Sequence, residues 1–415
     1  MTLLSKLTRI CAAAAIASAA SLSNTASAMD PSTITAERLY GEIAGSSLEA
    51  KPNFVFSPFS IFSVFRTAQR GAGGETRQQM DALVGPNESF AIPELMQPPR
   101  KEDAVALNVA NRLYVHQELQ QNEKFKEFKG ELEKEKQSAE TIDFADSVAA
   151  ADKINSFVAD VTHDHIKNLL SPSALGAQTR LVLVNALYFK APWLSQFEAS
   201  STTQGVFYTP AGPKQVKFMK GKLDKAPLLV SMKKEGLAVG LPYSDPRIRL
   251  YIVMPEDFGS FEKSMINDPQ LLEKTFADME SVAMDRSFEE EMYLTVPKFK
   301  MAADDNKVDL TEIFGKLGAP DMFDQAKADF TGITGNKDLF VSSFVHQADI
   351  DVNEEGTEAT AASAMIMMLR AMPMPKTPIN VVVDKPFIFQ LRFVDGDTNL
   401  ILFSGRVADP SALQQ

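Results

Sequence analysis

The chain has 415 residues, 45% of them hydrophobic, which is ample for a large buried core. Its formal charge is −12, so it should be soluble and a poor binder of polyanions, and nucleic acid is not an expected ligand. The single cysteine, Cys11, excludes a disulfide framework, a Cys-based metal site and a Cys nucleophile once the N-terminal segment is removed.

That segment reads as a targeting signal. Lys6 and Arg9 precede an apolar, Ala-rich run at 10–20 that is too short to span a bilayer. Ala26-Ser27-Ala28 fits a small-residue cleavage site, so residues 1–28 are read as a cleaved signal peptide, 29–415 as one domain, and the product as secreted and extracellular. Removing Lys6 and Arg9 takes the charge from −12 to −14. No other apolar run approaches membrane-spanning length, and Asn87-Glu88-Ser89 is the sole N-glycosylation triplet.

From 34 to 70 the apolar spacing is helical, interrupted by Pro52 and Pro58. The 105–115 stretch alternates as a strand. Residues 122–136 form a charged helix of mixed Lys and Glu, read as a solvated face, and 149–170 reads as an amphipathic helix. Residues 179–189 are continuously apolar, as expected of a strand buried on both faces. Further strands are predicted at 216–219, 237–241, 250–254, 292–296 and 381–393, with a short helix at 309–317. Strands in clusters with helices grouped elsewhere argue an α+β fold.

Motifs for catalysis are lacking: there is no Gly-x-Ser-x-Gly, no His-Glu-x-x-His and no Walker loop. His163-Asp164-His165 could suggest a metal, but is read as surface residues near a helix end. The most informative stretch is 354–375. Glu354-Glu355-Gly356-Thr357-Glu358-Ala359-Thr360-Ala361-Ala362-Ser363-Ala364 is nearly all small. Met365-Ile366-Met367-Met368-Leu369-Arg370-Ala371-Met372-Pro373-Met374-Pro375 is oily, with one arginine. Small side chains suit a segment that must enter a narrow slot, and a lone Arg beside prolines is what a trypsin-like protease cuts.

Several blocks resemble the serpin family, in order, from about residue 36 to 410. They are Asn53-Phe54-Val55-Phe56-Ser57-Pro58-Phe59-Ser60-Ile61, Gly71-Ala72-Gly73-Gly74-Glu75-Thr76, and Asn185-Ala186-Leu187-Tyr188-Phe189-Lys190-Ala191-Pro192-Trp193, the last with Ala-Pro where Gly is usual. They continue in Tyr293-Leu294-Thr295-Val296-Pro297-Lys298-Phe299, the hinge-like 346–362, Lys385-Pro386-Phe387 and Leu402-Phe403-Ser404-Gly405-Arg406. The resemblance implies three β-sheets, eight or nine helices and an exposed reactive-centre loop at about 354–380. It implies a protease inhibitor, not an enzyme, whose cleaved loop inserts into the main sheet and carries the acyl-enzyme with it.

In that family the scissile residue lies sixteen positions after the hinge Glu. Counting from Glu354 gives Arg370, so the reactive bond is Arg370–Ala371 and the partner a trypsin-like serine protease. Met368 and Leu369 are fallback sites for chymotrypsin- or elastase-like targets. The resemblance places Gly356, Thr357, Glu358, Ala359, Thr360, Ala361 and Ala362 in the hinge. It places Ser57, Ser60, Asn185 and His346 in a polar shutter under the sheet, and Trp193, Lys298 and Glu354 in the breach at its top. Lys298 and Glu354 are expected within salt-bridge range. By period two, Thr357, Ala359, Ala361 and Ser363 share one face, free of charge, and should face the core. Inserting roughly 15 residues at ~3.3 Å each would move the cut end by ~50 Å.

No cofactor or metal is expected, nor membrane binding. Heparin-type activation is not expected either, since 85–103 holds only Arg100 and Lys101 as basic residues. A monomer is expected. Two other readings stay open: a non-inhibitory serpin acting as carrier, hormone precursor or chaperone, and a cross-class inhibitor of papain-like cysteine proteases.

Overall fold

The computed structural model describes residues 30–45, 47–86, 105–222, 229–233, 236–285, 292–302, 306–357, 379–396 and 398–414; at 229–233, 279–285 and 379 only the backbone is described. The signal-like segment, Asn87, Arg100 and Lys101 lie outside the described residues, as do Glu358, Ala359, Thr360, Ala361, Ala362, Met368, Leu369, Arg370 and Ala371. Residues Pro31–Gln415 form one compact unit.

The first half of the chain contributes α1 (Pro31–Ala44), β1 (Asn53–Phe56), α2 (Pro58–Gly71), α3 (Gly74–Val84), β2 (Ala106–His116), α4 (Glu123–Lys134), β3 (Ala139–Ile142), α5 (Ser147–Val161) and β4 (Leu181–Pro192). Then come β5 (Thr203–Thr209), β6 (Gly212–Lys222), β7 (Leu229–Lys233), β8 (Gly236–Pro242), β9 (Ile248–Pro255), α6 (Phe258–Asn267), α7 (Leu271–Asp285), β10 (Met292–Pro297), β11 (Phe299–Met301), β12 (Val308–Asp309) and α8 (Leu310–Leu317). The last part supplies α9 (Thr331–Thr334), β13 (Val341–Ala348), β14 (Ile350–Val352), β15 (Gly356–Thr357), β16 (Ile379–Val382), β17 (Phe387–Asp395) and β18 (Thr398–Val407). Among the described residues this is an α+β fold of nine α-helices and three sheets.

The largest sheet has eight strands, with β4 at its centre. On one side β4 pairs antiparallel with β2. On the other it pairs parallel with β13 from Leu181 to Leu187, and antiparallel with β15 at Ala191 and Pro192. The apolar run of β4 divides by parity, as expected of a strand covered on both faces. Val182, Val184 and Ala186 pack with Ala150, Ile154 and Val158 of α5. Leu181 and Leu183 join Phe65 of α2 in the main core.

Three expectations need correction. Between Pro52 and Pro58 the chain forms β1 and not helix, pairing with β18. Helix α5 stops at Val161, nine residues early, because Thr162 caps it and His163 and Asp164 turn left-handed, with φ of 50° and 66°. The apolar spacing misled because Ile166, Leu169 and Leu170 still enter the same core from a non-helical path. The strand expected across 381–393 is two strands, β16 and β17, broken over 383–386 where Pro386 offers no N–H.

Helix α1 buries Glu37 against β17, where its Oε1 accepts from Gln390 Nε2 at 2.8 Å. Gln390 Oε1 accepts in turn from Arg392 Nε at 2.7 Å, and Arg392 donates to Glu273 at 2.9 Å. Burial pushes the Glu37 pKa from 4.5 up to about 7, against the Gln390 bond and the Arg392 charge. The folded state therefore keeps a proton that the unfolded chain has released, so stability falls as pH rises from 4.5 through about 7. The slope is at most about 1.4 kcal/mol per pH unit. Glu37→Gln should lack it. Denaturant unfolding at about pH 5 and about pH 7.5 should show the variant gaining stability on wild type at the higher value.

Candidate functional site

Two polar clusters lie along the seam between β4 and β13, one beneath its middle and one at its upper end. The lower cluster begins at Ser57, whose side chain caps α2 by accepting from Ser60 N at 3.1 Å, with Pro58 in the first turn. The same residue's backbone N–H donates to His346 Nε2 at 3.0 Å. Because Nε2 accepts, the ring proton is on Nδ1, which donates to Asn185 Oδ1. Asn185 Nδ2 donates to Ser60 Oγ and to Asn111 Oδ1.

His346 and Asn185 are directly opposite in the register, so their bond crosses the seam. All four expected residues, Ser57, Ser60, Asn185 and His346, are buried and joined in one network. Burial pushes the His346 pKa from 6.5 down to about 3, so the ring is neutral.

At the upper end, Lys298 Nζ lies 2.8 Å from Glu354 Oε2, as expected of that pair. Thr202 Oγ1 donates to the other carboxylate oxygen at 2.7 Å. Burial alone would push the Glu354 pKa up, but the bonds from Lys298 and Thr202 outweigh it and hold the carboxyl below its usual range. The Glu354 and Glu355 carbonyls accept from Phe197 N and Trp193 N at 2.8 and 2.9 Å. Trp193 donates its indole N–H to Asn353 O at 2.9 Å and stacks on Tyr243, with centroids 4.3 Å apart.

These contacts hold the start of the small-residue segment inside the sheet. Gly356 and Thr357 form β15 between Pro192 and Ala191 of β4 on one side and Val352 of β14 on the other. Thr357 has no exposed surface, and its hydroxyl is 2.8 Å from that of Tyr243. It is the one described member of the set predicted to face the core. Gly356 has φ +154°, and a Cβ there would come within 2.0 Å of Ala191 O, so only glycine fits.

Sequence reasoning missed Tyr243, Thr202, Asn111 and Asn353. Asn353 had a local signal: Asn before Glu-Glu-Gly suits an Asx turn, and its Oδ1 accepts from Glu355 N at 3.1 Å and Gly356 N at 3.3 Å. The others contact the site only across the fold. Among the described residues no group of three or more His, Cys, Asp or Glu is placed to hold a metal ion. No described helix is long and apolar enough to cross a membrane.

A sequence model of the family described as "Serpin (serine protease inhibitor)" matches residues 32–410. The chain is 32% identical over 381 residues to Iris of Ixodes ricinus, spanning 89% of this chain and 96% of that protein. It is 33% identical over 395 residues to Serpin B10 of Homo sapiens, spanning 86% and 94%. Among solved structures, Serpin48 of the insect Tenebrio molitor, described as highly specific, superposes with a TM-score of 0.72 at 28% identity, over 91% of this chain and 97% of that one.

Trp193 is the only tryptophan, so its emission reports on the upper cluster alone. Gly356→Ala should expel β15 from the sheet and change that emission, with the far-ultraviolet circular dichroism retained. An unchanged spectrum would mean that β15 tolerates the extra carbon.

Proposed function

Because this chain belongs to the serpin family of serine protease inhibitors, we propose that it is a secreted suicide inhibitor of trypsin-like serine proteases. The protease cuts at Arg370–Ala371. The hinge then continues from Thr357 into the seam between β4 and β13, carrying the acyl-enzyme away from the loop's original position before it hydrolyses. The observation that most supports this is β15 itself. The first hinge residues already occupy the entrance of the seam, antiparallel to both flanking strands. Extension along the same line would place Ala359, Ala361 and Ser363 on the face that Thr357 now occupies, and their small side chains suit a packed sheet.

The upper cluster positions the entering segment through Gly356, Glu354 and Trp193. The lower cluster, centred on His346, closes the seam ahead of it. The role of Arg370 is to fill the acid-bearing specificity pocket of the protease. Secretion follows from the N-terminal basic, apolar and small-residue pattern.

Incubation with trypsin should give a covalent complex that survives SDS, with the cut after Arg370. Cleavage there without a complex would leave a substrate and end the inhibitor reading. Thr357→Arg should abolish the complex and turn the protein into a substrate, because holding a charged side chain in the closed site beside Tyr243, which Thr357 already fills, would cost several kcal/mol and keep the hinge out of the sheet. Normal trapping by that variant would rule out insertion as the mechanism.

A further inference from the structure

Lys298 stands where the chain passes from one sheet to another. Strand β10 of the four-stranded sheet ends at Pro297, opposite Phe218 of β6. Strand β11 of the eight-stranded sheet begins at Phe299, opposite Val352 of β14. Lys298 is the single residue between them, yet its side chain reaches one target, the Glu354 carboxylate 2.8 Å away. The orientation of its backbone sets that reach. Its N–H donates to Lys217 O at 3.1 Å. Its carbonyl is held from 116 residues further along the chain, where Gln414 Nε2 donates to Lys298 O at 2.5 Å. The same Nε2 donates to Lys217 O at 2.9 Å, and Gln414 Oε1 accepts from Lys217 N at 2.5 Å. A carboxamide carries a donor and an acceptor side by side, as a peptide group does. Gln414 thus pairs with β6 beyond the point where β10 leaves it, as one more strand residue would.

Gln414 is itself anchored. Asp409 caps the short turn Pro410–Leu413 by accepting from Ser411 N at 3.1 Å. The Asp409 N–H donates to Asn53 Oδ1 at 3.0 Å, and its carboxylate meets Lys214 Nζ at 2.5 Å. Leu413 packs against the core that holds Phe218 and Val296.

We propose that Gln414 is a positioning residue for the upper cluster: by holding the Lys298 carbonyl it aims the Lys298 ammonium at Glu354 and so helps to keep β15 in the sheet. The link to the tryptophan is short. The Glu354 and Glu355 carbonyls accept from Phe197 N and Trp193 N, and Gly356 and Thr357 follow directly. A displaced Glu354 is therefore felt at the indole. The bearing of Gln414 on trapping rests on the inhibitor reading proposed above; its bearing on Trp193 does not.

The test is a double-mutant cycle on the intact protein. Gln414→Ala and Lys298→Met should each change Trp193 emission, with the far-ultraviolet circular dichroism retained. The double variant should change it no further than Lys298→Met alone. Gln414→Glu has the shape of glutamine and keeps an acceptor for Lys217 N, but has no donor for the Lys298 carbonyl, so it should behave as Gln414→Ala does. With trypsin, the number of inhibitor molecules cleaved per protease trapped should rise about threefold in Gln414→Ala, the scale of one partly exposed ion pair. Once Lys298 is replaced by methionine, that substitution should have no further effect. Unchanged emission in Gln414→Ala, additive changes in the double variant, or wild-type emission in Gln414→Glu would overturn the role. If wild type and trypsin form no complex, the inhibitor reading ends, and the emission cycle decides the role of Gln414 by itself.

Discussion

Strands β4 and β13 run parallel over seven paired positions in the middle of the largest sheet, and the rest of the molecule is arranged around that pairing. Parallel ladders are slightly less stable per residue than antiparallel ones. Two parallel neighbours also share a direction, so a strand entering between them from the opposite direction would be antiparallel to both. At the top this has begun: β15 is antiparallel to β4 and to β14. The seam is thus a place where one weaker ladder could be exchanged for two stronger ones, using backbone from the same chain. Side chains that cross the seam would oppose such an exchange.

The bond from His346 to Asn185 is the clearest of these, because its two ends belong to the two strands that would have to part. Separating them exposes a buried Nδ1–H and a buried amide oxygen to an environment with no water, a cost of about 1–3 kcal/mol until new partners arrive. In the insertion proposed above, that penalty would fall on the opening step and not on the final state, where an inserted backbone would bring its own donors and acceptors. A buried polar network in this position acts on the rate of change more than on its direction. Its chemistry also tolerates mild acid. The fold refuses a proton at His346 until about pH 3, so stability falls as pH drops from 6.5 toward that value. Glu37 has the opposite slope between 4.5 and about 7. Between 4.5 and 6.5 the two slopes oppose each other and largely cancel.

Much of this was legible in the sequence where a residue's role is set by its own neighbours. The continuous apolar run of β4 announced a doubly covered strand. The short helix expected at 309–317 is α8, Leu310–Leu317. The parity of the small residues after Gly356 anticipated the buried Thr357. Legibility failed where distant contacts decide. Periodicity carried α5 too far because a core accepts apolar side chains from any backbone path. β5 was missed because Val206 and Tyr208 face solvent on an edge strand, which blurs the usual alternation. Tyr243 and Asn111 are ordinary residues in sequence and become part of the site only through pairing. His163 and His165 read as surface residues near a helix end; only the fold lays them over Tyr188 and Asp349.

The distribution of small and large residues along the seam then separates two tasks. At the entrance the chain removes obstacles: Gly356 leaves room for Ala191 O, and Thr357 is short enough to reach the Tyr243 hydroxyl. Below, it places an obstacle, since His346 and Asn185 are bonded across the seam. If a cleaved loop enters this seam, as proposed, its first residues are already in place in β15, and the barrier to further entry would lie within a few residues of the point where β4 and β13 part. A barrier so placed responds to small local changes, because opening the first positions must precede every later one. Packing that is uniformly tight could not combine a ready entrance with a closed path beyond it.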